Sequence, residues 1–208
     1  MAKKISNKHY STDWTADLAD INSPNWTKGI EIIKARFESR YFIPVQQLIN
    51  SGNGIVKYNC GFLVMSIDCL LIETLNQFYR GLKDSDEAYK NKNCEAFKDF
   101  FKYSTYFPEF ENSEDVIITF YKEVRCGLLH QAESKVNSLI NIRESKMVVP
   151  IDGINPQNGI IINRALFHQA LHDEFNKYLK DLENPKNVNL FGKNLREKCN
   201  QKMVALCS

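Results

Sequence analysis

The chain is short of chain breakers. Its 208 residues include nine glycines and six prolines, about 7% together where an ordinary globular protein carries about 12%. That scarcity favours long helices and excludes collagen-like or low-complexity organisation. Cysteine occurs six times, at Cys60, Cys69, Cys94, Cys126, Cys199 and Cys207, with no C-x2-C or C-x4-C pair. A zinc knuckle or a thioredoxin-like motif is therefore not expected. No run approaches the roughly 18 consecutive apolar residues of a membrane span. The start, Met1 to Tyr10, is basic but has no apolar stretch, so no secretory leader is expected. A cytoplasmic location with reduced thiols follows as the expectation. Also missing are G-x-x-x-x-G-K-[ST], G-x-G-x-x-G after a strand, and G-x-S-x-G. P-loop nucleotide hydrolysis and dinucleotide redox chemistry lose their usual signatures. Net charge is only +2, with 20 lysines against seven arginines. Nucleic-acid contact would have to rest on a local patch.

What is present is helical periodicity. Residues 1–25 read as a polar N-terminal arm with two isolated hydrophobes, Trp14 and Leu18. Ser23-Pro24 has the form of a helix start, with proline at the first helical position. From Trp26 to about Ile49, residues Ile30, Ile33, Phe37, Tyr41, Val45 and Leu48 recur at helical spacing. Pro44 predicts a kink or break there. The longest helix is expected over Ile55–Leu82, with Cys60, Leu63, Ile67, Leu70, Leu71, Leu75, Phe78 and Leu82 as a broad apolar face. Ser66, Cys69, Glu73, Asn76 and Arg80 form a narrow polar stripe opposite. It is either the solvent side of an amphipathic helix or the lining of a cleft.

A capping box at Asp84–Glu87 opens a helix through Phe101, followed by an aromatic loop, Tyr103–Phe110. Another helix is expected from Ser113 to about Ile142, buried through Val116, Ile117, Phe120, Val124 and Leu128. Apolar runs at 147–151 and 159–162 flank turn signals and read as a hairpin. Helices from Arg164 to Leu182 and through Leu195, Cys199 and Met203 complete the chain. The expected fold is all-α, an antiparallel helical bundle of four to five long helices with a small β-hairpin insertion near 147–162. Residues 26–208 form its single helical domain.

Four histidines are available for chemistry. His9 lies in the arm and is expected to be solvated. His168 and His172 stand at i and i+4, a spacing that can hold a metal. Gln169 replaces the glutamate a zincin needs, and no third ligand is visible, so no metal is assigned and no cofactor is expected. His130 lies in Phe120-Tyr-Lys-Glu-Val-Arg125-Cys-Gly-Leu-Leu-His130-Gln-Ala-Glu133. Arg125 sits inside an apolar framework, where a guanidinium costs several kcal/mol unless it is paired. Glu73, on the polar stripe of the longest helix, is the plausible partner. Gly127 costs about 1 kcal/mol in a helix relative to alanine. It points to close approach of another backbone, as at a helix–helix or dimer contact.

Arg125-Cys-Gly-Leu-Leu-His130 resembles the R-x4-6-H motif of HEPN-domain ribonucleases. Ile67-Asp-Cys-Leu-Leu-Ile-Glu73 resembles that family's earlier core helix, and the likeness spans about residues 26–182. Cys126 departs from the Asn, Asp or His often found after the arginine. The resemblance implies a helical bundle that cuts RNA without a metal, by attack of a 2′-hydroxyl on the adjacent phosphate. The products carry a 2′,3′-cyclic phosphate and a 5′-hydroxyl.

In that reading Arg125 holds the phosphate and His130 moves the proton, a role suited to imidazole. Glu73 and Cys126 support the pair, as does Gln131. Lys135 and Gln131 are candidates to touch the RNA backbone. On an ideal helix Arg125 and His130 stand about 140° apart. A homodimer with both Arg/His sets in one cleft is implied, along with a regulatory protein such as an antitoxin in a bacterial or phage defence setting. The alternative is a non-catalytic helical module of the same fold that binds RNA, a nucleotide or a protein.

Overall fold

The computed structural model describes residues 2–135, 137–189 and 191–208. Most of this length is helical, with one small sheet. Helix α1 (Trp26–Phe37) and helix α2 (Ile43–Ile49) are joined without a break by a π turn over Glu38–Phe42. Pro44 explains the wide turn. Its ring has no N–H to give and would collide with the carbonyl four residues back. An extra residue per turn relieves the crowding, and Ile43 N donates to Glu38 O across five residues. The expected kink is thus absorbed as a widened turn.

The helix expected over Ile55–Leu82 is interrupted at Cys60. It divides into α3 (Gly54–Asn59), capped by the Asn53 side chain, and α4 (Gly61–Arg80), closed by Gly81 in the left-handed region. Helix α4 has the length and hydropathy of a marginal membrane span, yet more than half of its most apolar window is buried inside the protein. Helices α5 (Ser85–Tyr89), α6 (Cys94–Tyr103) and α7 (Pro108–Glu111) follow. The aromatic loop is core: Phe107 and Phe110 are fully buried. Phe101 stacks on Phe110 with centroids 4.1 Å apart, and Phe120 stacks on Phe167 at 5.2 Å.

Helix α8 (Glu114–Thr119), a π turn over Phe120–Arg125 and helix α9 (Cys126–Gln131) form one continuous rod. It stops eleven residues short of the expected end at Ile142. The stop is Ala132 in the left-handed region (φ 55°), a conformation that costs alanine about 1 kcal/mol and gives no glycine signal in the sequence.

The residues beyond form β1 (Leu139–Asn141) instead of helix. The apolar runs around the turn signals become β2 (Val148–Pro150) and β3 (Ile160–Asn163), which pair antiparallel with Val148 opposite Ile162. Strand β1 adds parallel to the other edge of β3, so the insertion is a three-stranded sheet in the order β1-β3-β2. Asn163 then caps helix α10 (Arg164–Glu183), and helix α11 (Leu195–Cys207) ends the chain.

Residues 2–25 are held against the helices. Ile5, Trp14 and Leu18 are buried, and Trp14 meets Trp26 edge to face. Trp14 Nε1 donates to Asn200 Oδ1 at 2.9 Å, Arg36 Nη1 to Ile5 O at 2.9 Å and Arg196 Nη1 to Ile21 O at 2.6 Å. Three sparse hydrophobes and three cationic or indole donors suffice to dock a segment whose composition looks solvated.

Deep in the fold, Glu174 of α10 is fully buried. It accepts from Tyr79 Oη at 2.5 Å and Ser104 Oγ at 2.6 Å. Burial pushes its carboxyl pKa up, against the pull of the two hydroxyl donors. A raised folded-state pKa means its contribution to stability is complete below the unfolded value near about 4.3 and is lost as pH rises through the folded one. Glu174→Gln keeps an acceptor for Tyr79 and removes the ionisation. The melting temperature should therefore fall less between about pH 5 and about pH 8 in this variant than in wild type. An identical fall in both proteins would contradict the assignment.

Candidate functional site

The rod α8–π–α9 places Arg125 against α4. Arg125 Nε and Nη2 both donate to Glu73 Oε1, at 3.0 and 2.8 Å. The two side chains are only 14% and 18% exposed. Burial pushes the guanidinium pKa down, the neighbouring carboxylate outweighs it, and the net shift is upward. The cation also lies over the Tyr121 ring at 5.4 Å, one helical turn earlier. Glu73 thus fixes Arg125 with a fork on a single oxygen. Among the described residues, Arg125 Nη1 has no hydrogen-bond partner.

This pair lies in a groove of about 430 Å³ lined by Ser66, Ile67, Leu70, Glu73, Thr74, Gln77, Arg125 and Leu129. Its rims are apolar and open: Leu70 is 47% and Leu129 51% exposed. This corrects the face assigned to the helix. Leu63 and Leu70, expected inside, point to solvent, while Cys69 and Asn76 of the polar stripe are buried. Ile55 and Tyr58 on α3 and Phe62 at the start of α4 are exposed as well. A helix apolar on nearly every side gives no signal for which side faces out, so these groove residues could not be picked from periodicity.

His130 is in the last turn of α9 and exposed. It does not line the groove that holds Arg125, and among the described residues its ring has no hydrogen-bond partner. One chain therefore does not converge Arg125 and His130 on one point, in line with their spacing on the helix. Gln131 follows His130 and is exposed, while Cys126 and Lys135 are half-buried.

The close approach inferred at Gly127 is present, but the neighbour is the chain's own loop and not a second helix. A Cβ there would lie 2.5 Å from Glu133 O and 3.0 Å from Lys135 N. Lys135 N donates to Glu123 O at 2.8 Å, tying the loop to a carbonyl of the π turn.

His168 and His172 are each turned to a separate carboxylate. His168 Nδ1 is 2.7 Å from Asp68 Oδ1, with both groups buried, and His172 Nε2 is 2.8 Å from Glu38 Oε1. The Phe42 ring packs against both imidazoles. Among the described residues, no three metal-ligating side chains are grouped to hold an ion. These histidines join α10 to α4 and to the first π turn.

No protein-family model, curated protein or solved structure matches the chain.

Two opposing effects meet at Gly127. Alanine would gain about 1 kcal/mol of helix propensity. It would also force backbone atoms of residues 133–135 apart, and overpacking costs about 1–3 kcal/mol. The neighbours are backbone and cannot swing away, so Gly127→Ala should lower the unfolding free energy in urea by about 1–2 kcal/mol. A stabilised variant would show that the loop is free to move.

Proposed function

We propose that the chain is a HEPN-like endoribonuclease that cuts RNA without a metal and works as a homodimer. The observation that carries this reading is Arg125, anchored by Glu73 in an open groove on the same rod that presents an exposed His130. A fixed arginine fork offers its free edge to non-bridging phosphate oxygens as charge builds on them. An exposed imidazole takes the proton of the 2′-hydroxyl or returns one to the leaving 5′-oxygen.

The two residues face apart in one chain, so the cleft that uses both is assembled from two copies. The apolar surface formed by Leu63, Leu70 and Leu129 beside the groove is the seat for the second copy, because exposed clusters of this kind mark association sites. Its helices take a bundle arrangement in this reading, with the β2–β3 hairpin as an insertion. Gln131 and Lys135, close in the chain to His130, contact the RNA backbone. With six free thiols the protein acts in the cytoplasm, under the control of a regulatory partner of the antitoxin type.

A second reading is favoured by one feature. Glu73 occupies both Arg125 Nε and Nη2, which suits a helical module that binds RNA, a nucleotide or a protein without turnover.

The test is cleavage of a mixed-sequence RNA in excess EDTA by wild type, Arg125→Ala and His130→Ala, with circular dichroism as the control for folding. Wild type should leave cyclic-phosphate ends, and His130→Ala should lose about 100-fold or more, the usual weight of a general acid–base group. A folded His130→Ala that cuts like wild type would overturn the assignment. Absence of cutting by any of the three would favour the binding module.

A further inference from the structure

We propose that residues 3–11 and the end of α1 form an anchoring surface for single-stranded RNA, built from Lys4, Lys8, Tyr10, Arg36 and Arg40. Net charge is only +2, so a protein of this composition needs its cations gathered in one place to hold a polyanion. Residues 3–11 gather them.

This segment folds back on itself. Ser11 N donates to Lys3 O at 2.7 Å and Ile5 N to His9 O at 2.9 Å, and Lys4 stands opposite Tyr10 in an antiparallel bridge. The two bonds flank the Lys4–Tyr10 pair and leave it in the non-hydrogen-bonded position. Facing side chains lie closest there, on one side of the ribbon. The other side turns inward: Ile5 is fully buried, and Lys3 Nζ donates to Leu206 O at 2.9 Å. Alternation along the chain therefore sends Lys4 and Tyr10 outward. Lys4 and Lys8 are exposed, and Tyr10 is 47% exposed.

Two arginines join from the helices. Arg36 Nη1 donates to Ile5 O at 2.9 Å, and Arg40, in the first π turn, donates through Nη2 to Lys4 O at 2.8 Å. Burial pushes the Arg36 pKa down, and the neighbouring charge of Arg40 pushes the same way. A carbonyl oxygen is a neutral acceptor and leaves the positive charge in place. Among the described residues, none of Lys3, Lys4, Lys8, Arg36 and Arg40 makes a salt bridge. The acids alongside are engaged elsewhere: Asp13 accepts from Tyr10 N at 2.7 Å, and Glu38 meets His172.

Uncompensated cations beside an exposed aromatic ring suit a single strand, whose phosphates follow the cations while a base stacks on the ring. A membrane surface would also call for exposed aliphatic side chains, and Ile5 is buried. None of these residues lines the Arg125 groove. They hold the strand at a second place, apart from the one where it is cut.

That the strand is the RNA to be cut rests on the function proposed above, whereas binding is measured without it. The probe is a fluorescein-labelled 2′-O-methyl oligouridine of about 12 nucleotides. It lacks the attacking hydroxyl and stays intact. Anisotropy of the full-length chain would be followed in EDTA at rising potassium chloride, with circular dichroism as the control for folding. Lys4→Gln/Lys8→Gln should weaken binding about tenfold at about 0.1 M salt and make the salt slope shallower by about 1.4, since each phosphate contact on a single strand contributes about 0.7. Tyr10→Ala should weaken binding about tenfold with the slope unchanged, and Tyr10→Phe should bind like wild type. The same losses should appear in an Arg125→Ala background. A wild-type chain that does not bind the probe, or a folded Lys4→Gln/Lys8→Gln variant with wild-type affinity and slope, overturns the surface. Binding to phosphatidylserine vesicles in place of the probe, lost in the lysine variant, would assign it to a membrane and overturn the RNA reading. A chain that binds through these residues and never cuts RNA keeps the surface while the nuclease reading fails.

Discussion

A guanidinium taken most of the way out of water needs a carboxylate, and the arrangement around the candidate site follows from how that need is met. Arg125 stays charged, and burying it unpaired would cost several kcal/mol. Glu73 supplies the partner from the longest core helix, with two donors on one oxygen. The bond sets the rotation and height of the α8–π–α9 rod against α4. It thereby fixes Leu129 opposite Leu70 as the rims of the groove. It also fixes where His130 emerges, one and a half turns further on.

Two widened turns adapt the rods to that constraint. The first, over Glu38–Phe42, relieves Pro44 and turns Glu38 toward His172 and Phe42 against both His168 and His172. The second, over Phe120–Arg125, lets Phe120 enter the aromatic core while Arg125 reaches Glu73. Its Glu123 carbonyl accepts the loop that presses on Gly127. Single π turns inside helices often mark functional positions. Here they do the geometric work of letting a core helix also present polar groups.

Some of this was legible in the sequence, and the reasons are specific. The Arg125–Glu73 pair could be inferred because an arginine among Val124, Leu128 and Leu129 demands a partner, and Glu73 lies on the one polar stripe of the longest helix. Gly127 announced a close backbone because nothing else explains glycine in that helix. The helical class followed from the scarcity of glycine and proline. The π turns were not legible, since a reading at 3.6 residues per turn tolerates one extra residue without losing the pattern. The stop at Ala132 was hidden because alanine normally extends helices. Leu63 and Leu70 were misplaced because an apolar residue carries the same letter whether it faces a core or solvent. Docking of residues 2–25 depends on three scattered hydrophobes, too few to form a period.

The central claim is that the Glu73–Arg125 bond is a coupled, partly desolvated interaction that holds the site together. A double-mutant cycle with Glu73→Ala, Arg125→Ala and the double variant, read by urea unfolding, tests it most directly. The account predicts single losses that do not add, with an interaction energy of about 1–3 kcal/mol, because either substitution alone leaves the other group uncompensated. Losses that add to within about 0.3 kcal/mol would mean that the two side chains are independent and that Arg125 is held by something else.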